Sequence, residues 1–215
     1  MGNFVEEQYE KAALALKTKD QQLADQVRQQ DALIDQMDID IDKHAIEIIA
    51  RRSPVADDLR EVVSTLKISS GLERIGDYAK NLAKRVNVLS QNETNPVSSI
   101  LIDQMVMHIR GMVSDVMDAY INRDIDLAIN VWRRDQEVDN LYNSLFQEML
   151  TYMMENPRNI TQATHLLFVA KNIERAGDHA TNIAELIYYI NEGELLALKR
   201  PKDDSSNYTD INIEE

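Results

Sequence analysis

The sequence predicts an all-α protein made of two tandem three-helix bundles related by internal duplication. The 215 residues include only 6 glycines and 4 prolines, and the stretches between them repeat apolar residues at three- and four-residue spacing, as amphipathic helices require. No run of alternating β-branched residues bounded by turn signals indicates a strand. The third observation is that prolines and longer motifs recur about 100 residues apart, the pattern of an internal repeat.

Two stretches carry the evidence for the duplication. Residues 73–83 match residues 174–184 at an offset of 101, with seven of eleven positions identical. Upstream, six residues recur at an offset of 104: Asp20, Leu23, Ala24, Val27, Asp31 and Asp35 fall on Asp124, Leu127, Ala128, Val131, Asp135 and Asp139. Pro54 and Pro157, at an offset of 103, mark turns between the two motifs, and these turns can absorb the difference in offset.

Each half is expected to hold three helices. They span roughly residues 1–18, 20–51 and 55–91 in the first half, and 97–122, 124–155 and 159–192 in the second. The predicted domains are therefore a first bundle over 1–95 and a second over 96–195. Because each bundle is small, the two are expected to pack on each other to bury enough apolar surface. The acidic tail over 196–215 has too little apolar content to pack and is expected to be disordered.

The charge and composition exclude several classes of protein. A net charge of −14 would repel phosphate backbones, so no nucleic-acid partner is expected. The absence of cysteine rules out disulfides, thiolate metal sites and a cysteine nucleophile, and it suits a reducing compartment, so a cytoplasmic location is predicted. No apolar run approaches the roughly 20 residues that span a bilayer, and no secretory signal follows Met1.

The candidate functional residues are four acidic pairs with four-residue spacing. This spacing places both members of a pair on one face of a helix, where two like charges destabilise the helix by about 0.2–0.5 kcal/mol. At a solvated surface that cost is tolerable, so solvated acids are the simplest interpretation. The pairs are Asp31 with Asp35, Glu73 with Asp77, Asp135 with Asp139, and Glu174 with Asp178.

The two glutamates continue apolar rows, which argues against simple exposure. Glu73 follows Val62 and Leu66 on one face, and Glu174 follows Leu167 in the equivalent row. If helices two and three of each half face each other here, four carboxylates meet in a partly buried place. Two unit charges ~5 Å apart repel by ~3 kcal/mol at an effective dielectric constant near 20. Such a cluster must be protonated, paired with arginine or neutralised by metal cations.

Metal cations are one remedy because carboxylate oxygens suit magnesium, manganese, calcium and iron, with zinc possible. Asn81 and Asn182, four residues beyond the aspartates, are candidates for further oxygen donors or for groups that orient the ligands. His179 follows Asp178, but its counterpart in the first half is Tyr78, so the repeat does not require an imidazole there. Glycines between the acids, Gly76 and Gly177, indicate close approach of a neighbouring element or of a metal cluster.

These residues resemble the PhoU family of bacterial regulators of high-affinity phosphate transport. The resemblance spans nearly the whole chain and is most specific in the doubled Glu-Arg-x-Gly-Asp-x-Ala-x-Asn motifs at 73–81 and 174–182. Residues 50–60 and 156–160 support it. It implies a pair of three-helix bundles, often dimeric, with multinuclear metal clusters at the acidic motifs. Iron is the favoured metal, with zinc, manganese or magnesium as alternatives.

The function implied by this resemblance is negative regulation of the phosphate-starvation response and of phosphate uptake, without catalysis. The implied partners are the ATPase of the phosphate transporter and a phosphate-sensing histidine kinase, so the protein would reach membrane complexes only through its partners, as a homodimer. Two alternatives stay open. One is a metal-dependent hydrolase or phosphatase that uses the same carboxylates. The other is a purely structural helical scaffold whose acids are solvated.

Overall fold

The structure, a computed structural model, describes residues 1–90 and 99–197, which form six α-helices and no strand. The all-α prediction is confirmed, and the helices begin and end close to the predicted residues. The predicted disordered tail falls almost entirely on residues 198–215, outside the described ranges, as do Pro96 and Pro201. The helices are α1 (Gly2–Thr18), α2 (Gln21–Arg52), α3 (Ala56–Ser90), α4 (Ser99–Asn122), α5 (Ile125–Glu155) and α6 (Ile160–Glu192), the last preceded by a 3₁₀ turn over Pro157–Asn159.

The turns that open α2 and α5 have the same chemistry. Asp20 precedes α2, and its side chain accepts a hydrogen bond of 3.0 Å from the Leu23 backbone N–H. Asp124 does the same before α5, at 2.9 Å from the Leu127 N–H. Each aspartate caps a helix by satisfying a backbone donor that has no partner inside the first turn. The duplication therefore extends to the turn geometry.

Each half is a three-helix bundle, and the two bundles share one core. In the first half α1 packs on α2 and α3, in the second α4 packs on α5 and α6, and the halves meet through α3 against α6 and α1 against α4. Buried side chains from both halves, such as Val5, Ile75, Ile109 and Ile187, belong to a single hydrophobic cluster. The predicted pair of packed three-helix bundles is confirmed.

The two halves are related by an approximate twofold axis between α3 and α6. These helices run antiparallel, because Arg60 near the start of α3 donates to the Ile190 carbonyl near the end of α6. Tyr78 and His179, which occupy equivalent positions in the repeat, stack on each other with ring centroids 5.7 Å apart. Contact between equivalent residues is what a twofold relation requires at its axis.

None of the described helices has both the length and the apolar composition needed to cross a membrane. Charged residues on the solvent-facing side of each helix account for this. The helices bury one face and present the other to solvent, as expected for a bundle.

Candidate functional site

The first acidic cluster lies between α2 and α3. Asp31 is 2% exposed, and Asp35, Glu73 and Asp77 are half-buried. Burial and the nearby Asp31 carboxylate raise the pKa of Asp35 above its usual value. Burial and the Asp77 carboxylate likewise raise the pKa of Glu73. The structure thus brings together the four acids that the sequence placed on facing helices, and their charges interact.

A lysine already neutralises part of this first cluster. The Lys80 ammonium, one turn beyond Asp77, donates a short hydrogen bond to Asp31 Oδ2 and lies 3.2 Å from Asp77 Oδ1. The hydrogen bond to Asp31 is the main cause that raises the pKa of Lys80, so this group stays charged. Two of the four carboxylates therefore have a permanent positive partner within the protein.

Two further polar groups complete the first cluster. Gln8 of α1 is 2% exposed, and its side-chain amide donates to Asp31 Oδ1 at 3.2 Å. Asp38 accepts a hydrogen bond of 2.6 Å from Ser69, and its charge contributes to the raised pKa of Glu73. A Cβ atom at Gly76 would lie 3.1 Å from Gln8 Oε1, so the glycine makes room for the glutamine.

The second acidic cluster, between α5 and α6, is more deeply buried. Asp135 and Asp139 are each 1% exposed and Glu174 is 2% exposed, while Asp178 is half-buried. Burial, followed by the Asp178 carboxylate, raises the pKa of Glu174 above its usual value against the lowering effect of Lys171. Lys171 Nζ lies 3.1 Å from Glu174 Oε1, whereas Glu174 Oε2 is buried without a hydrogen-bond partner among the described residues.

The residue that corresponds to Lys80 in this second cluster is Thr181. Its side chain is fully buried, and its hydroxyl donates to the Gly177 carbonyl at 2.9 Å, so no ammonium reaches the acids from this position. A Cβ atom at Gly177 would lie 3.3 Å from Asp135 Oδ1. The glycine therefore lets a carboxylate of α5 approach the α6 backbone, which is the close approach predicted from the two glycines.

The two asparagines lie elsewhere. Asn182 is exposed and lines a cleft between α3 and α6 together with His179 and Lys67. Asn81 accepts a hydrogen bond from Lys84 and lines a second cleft on the same pair of helices. Within the described parts of the chain, no hydrogen bond joins either asparagine to the acids of α2 or α5, and their role as metal donors stays a prediction.

Arginine is not the main neutralising partner. Arg74 lies 3.7 Å from Glu73 and 3.9 Å from Asp77, on its own helix and largely in solvent, where such pairs contribute little. Its counterpart Arg175 is exposed and faces a cleft between α3 and α6. Lysines carry out this role instead, and sequence reasoning missed them.

The missed residues share one property: the two halves differ at their positions. In the alignment of the two halves, Lys80 corresponds to Thr181 and Asp38 corresponds to Tyr142. The acidic pairs, by contrast, could be recognised because both halves contain them. Lys80 also lies three residues after Asp77, a spacing at which helix side chains meet, so this signal was present in the sequence. Gln8 lies on α1, and no pattern in the sequence indicated how α1 packs against α2.

The donor chemistry of the two clusters fits a hard or borderline metal cation, and the second fits it better. Within residues 1–90 and 99–197, no three acidic or histidine side chains already converge at the spacing of a metal site. The second cluster nevertheless holds a buried carboxylate oxygen with no hydrogen bond among the described residues, Glu174 Oε2, and the Asp178 and Asp139 carboxylates act on the same group. Lys171 offsets part of this negative charge, and a bound cation would offset the rest, since a buried charge is costly unless it is compensated.

Comparison with known proteins identifies close relatives. The family model described as "PhoU domain" matches the chain twice, over residues 1–86 and 102–187. The phosphate-specific transport system accessory protein PhoU homolog of Caulobacter vibrioides is 48% identical over 206 residues, which cover 95% of this chain and 89% of that protein. The homolog of Rhizobium meliloti is 43% identical over 96% of this chain and 87% of its own length.

Solved structures agree with the fold. The crystal structure of PhoU from Pseudomonas aeruginosa superposes with a TM-score of 0.87 at 40% identity, covering 90% of this chain and 93% of that chain. The phosphate transport system regulatory protein PhoU from Streptococcus pneumoniae gives a TM-score of 0.83 at 30% identity, with 92% of each chain covered.

Proposed function

This chain belongs to the PhoU family, and we propose that it is an accessory protein of phosphate transport that restrains the phosphate-starvation response and phosphate uptake. It acts by contact with other proteins rather than by catalysis. The support for this role is the similarity over nearly the whole length to proteins named as transport accessories, together with a fold that offers helix surfaces for docking.

The proposed partners are the ATPase of the phosphate transporter and the phosphate-sensing histidine kinase. When phosphate is plentiful, contact with both keeps the kinase from activating its response regulator. The protein works in the cytoplasm as a homodimer and reaches membrane complexes only through these partners. Apolar side chains that are exposed near the end of the α2–α3 hairpin, among them Ile46 at 63% and Val55 at 73%, provide surface for protein contact.

The acidic clusters are proposed metal sites, and the observation that carries them is the buried Glu174 carboxylate of the second cluster. Asp135, Asp139, Glu174 and Asp178 would hold the metal there, and Asp31, Asp35, Glu73 and Asp77 would do so in the first cluster. Bound cations would supply positive charge that cancels repulsion between carboxylates and would tie α2 to α3 and α5 to α6. Iron is the favoured metal, with zinc, manganese or magnesium as alternatives.

The protein's own residues fix where this charge acts. Asp20 and Asp124 cap the helices that carry the aspartates and so set where α2 and α5 begin. Gly177 admits the Asp135 carboxylate to the surface of α6, and the shared core prevents the helices from separating to relieve repulsion. A bound metal would therefore change the stability of a rigid pair of helices, and a partner that docks on their outer faces would sense that change.

The first experiment measures metal content by mass spectrometry on protein purified without a chelator or an affinity tag. Wild type is compared with Asp77→Ala and Asp178→Ala, and Asp58→Ala serves as the control because this exposed acid lies at the start of α3, far along the helix from Asp77. Stepwise loss of metal in the two site variants and none in the control is expected.

The same variants are then assayed for binding to the transporter ATPase and for repression of a phosphate-starvation reporter. Loss of metal together with loss of repression supports the proposal. Full repression and partner binding by metal-free protein would remove the clusters from the mechanism. Phosphatase turnover that disappears when both Asp77→Ala and Asp178→Ala are present would instead favour a metal-dependent hydrolase.

A further inference from the structure

A basic cleft lies between α3 and α6, outside the two acidic clusters. Four cationic side chains line it, namely Lys84, Arg85, Lys171 and Arg175, and its volume is about 570 Å³. In a chain whose net charge is −14, four cations around one cleft are an unusual concentration of positive charge.

Three of these cations have no acidic partner. Lys84 donates to the Asn81 side-chain carbonyl at 3.0 Å, and Arg85 donates to His165 Nδ1 at 3.1 Å. Among the described residues, no carboxylate forms an ion pair with Lys84, Arg85 or Arg175. Their positive charge is thus available to an anion from outside the protein.

Arg85 is held in place at the wall of the cleft. Its guanidinium lies 4.8 Å from the centre of the Phe168 ring, a cation–π contact, besides its hydrogen bond to His165. Burial and the Arg85 charge lower the pKa of His165, so the imidazole is neutral and its Nδ1 accepts the hydrogen bond that the guanidinium donates. A fixed guanidinium is better prepared to bind an anion than a free surface arginine.

The duplication supplies an internal comparison. The pseudo-equivalent cleft, on the other side of the Tyr78–His179 stack, has a volume of about 320 Å³. At the offset of 101, Arg74 corresponds to Arg175, but Ser70 replaces Lys171 and Leu186 replaces Arg85. The larger cleft is therefore strongly basic because of residues that have no basic counterpart in the other half of the chain.

The walls of the larger cleft also indicate what kind of anion fits. Its volume is in the range of about 300–1,000 Å³ that organic ligands occupy, which is more than a single small ion needs. Phe168 is 49% exposed, and Val88 adds apolar surface, while Asn81 and Asn172 offer amide groups for hydrogen bonds. An exposed aromatic ring beside cations suits a flat ring that is attached to a multiply charged group.

We propose that this cleft binds a nucleoside di- or triphosphate, with the phosphates on Lys84, Arg85, Lys171 and Arg175 and the base against Phe168. Several cations around one cleft match the several negative charges of a polyphosphate, and arginine and lysine donate to phosphate oxygens with charge-assisted hydrogen bonds. Lys171 also pairs with Glu174 of the second cluster, so the three cations without an acidic partner carry most of the proposed site, and the inference does not depend on a bound metal.

The test is isothermal titration calorimetry in the presence of a chelator, so that the acidic clusters hold no metal. The probes are ATP, ADP, adenosine, tripolyphosphate and inorganic phosphate. We expect one ATP per chain, weaker binding of ADP, no measurable binding of adenosine, and an affinity that falls with salt. Lys84→Gln with Arg175→Gln is expected to weaken ATP binding at least about tenfold, since both contacts to phosphate are lost.

The matched control is Lys67→Gln with Arg74→Gln, which removes the same charge from the pseudo-equivalent cleft; circular dichroism verifies the fold of both variants. Phe168→Ala tests the nucleoside, because it should weaken ATP binding about fivefold and tripolyphosphate binding by less, since tripolyphosphate loses only the effect of Phe168 on Arg85. No heat with ATP, or equal weakening by the control, overturns the site. Binding of tripolyphosphate or inorganic phosphate as tight as that of ATP overturns the assignment to a nucleoside ligand.

Discussion

Replacement of Lys80 by threonine is the sharpest test of how the first acidic cluster is neutralised. Thr181 occupies the equivalent position in the second cluster, so Lys80→Thr gives the first cluster the residue that the protein itself uses in the second. The change removes the ammonium from between Asp31 and Asp77 while the four carboxylates stay.

The size of the effect follows from the contacts. At the observed 3.2 Å between Lys80 Nζ and Asp77 Oδ1, Coulomb attraction is about 5 kcal/mol at an effective dielectric constant of about 20. The gross figure overstates the loss, because the Lys80 side chain is 26% exposed and is screened by solvent. Removal of one partner of a buried pair costs about 3–5 kcal/mol, and Asp31 is only 2% exposed. We expect a loss of about 3 kcal/mol in the free energy of unfolding at pH 7 with a chelator present.

The assay is urea denaturation followed by circular dichroism, with and without added Mn²⁺. In chelator, thermal denaturation of the same samples should show a fall in Tm of roughly 6–12 °C, which corresponds to a loss of about 3 kcal/mol for a chain of this size. Mn²⁺ at about 100 times its dissociation constant should raise the free energy of unfolding of the variant by about 2–3 kcal/mol, as linkage predicts. The increase should be smaller for wild type, because Lys80 competes with the metal.

Lys67→Thr is the control, because it removes a lysine from the same helix, two turns before Arg74, with no carboxylate pair among the described residues. The reasoning is refuted if Lys80→Thr in chelator is as stable as this control. If Mn²⁺ stabilises Lys80→Thr no more than it stabilises wild type, the first cluster does not take up the metal.

The remaining predictions concern the second cluster. Because the folded-state pKa of Glu174 is raised, its contribution to stability is present below pH 4.5 and is lost as the pH rises through the folded pKa. Glu174→Gln should abolish that loss. In urea denaturation, this variant should stabilise metal-free protein at pH 7 by on the order of 1 kcal/mol. Gly177→Ala should destabilise by about 1 kcal/mol in the same assay, because crowding of Asp135 outweighs the gain in helix propensity. Metal should shift the fluorescence of Trp132, one turn before Asp135, and Asp178→Ala should remove this shift; an unchanged spectrum in wild type would place the metal elsewhere.

Much of the fold was predictable because helical periodicity recurs at every turn of the chain and the same pattern is repeated in both halves. The apolar stripe of α3, with Leu72, Ile75 and Ala79 all buried, is visible from spacing alone. The acidic pairs were predictable for the same reason, since a repeated pair on one helix face needs no knowledge of the neighbouring helix. Packing of α2 on α3 then brought Asp31 within reach of α3.

The asparagines show where extrapolation along a helix fails. Each four-residue step turns the side chain by about 40° relative to the previous one, so Asn182, two steps after Glu174, points about 80° away from it. That rotation carries Asn182 from the face toward α5 to the exposed cleft beside α3. Lys80 was not predicted for another reason. A comparison of the two repeats selects residues that are identical in both halves, and the neutralising lysine is present in only one of them.

The differences between the halves imply an order in which the clusters fill. The backbone frameworks match, yet the first cluster contains Lys80 and the second contains Thr181 at the same position. An incoming cation must displace the Lys80 ammonium from Asp31 and Asp77 in the first cluster. In the second, Lys171 pairs with Glu174 Oε1, but Glu174 Oε2 makes no hydrogen bond among the described residues. Since an ammonium that bridges two carboxylates costs more free energy to displace than one paired with Glu174, the second cluster should bind metal first, and a titration of wild type should resolve two affinities that Lys80→Thr brings together.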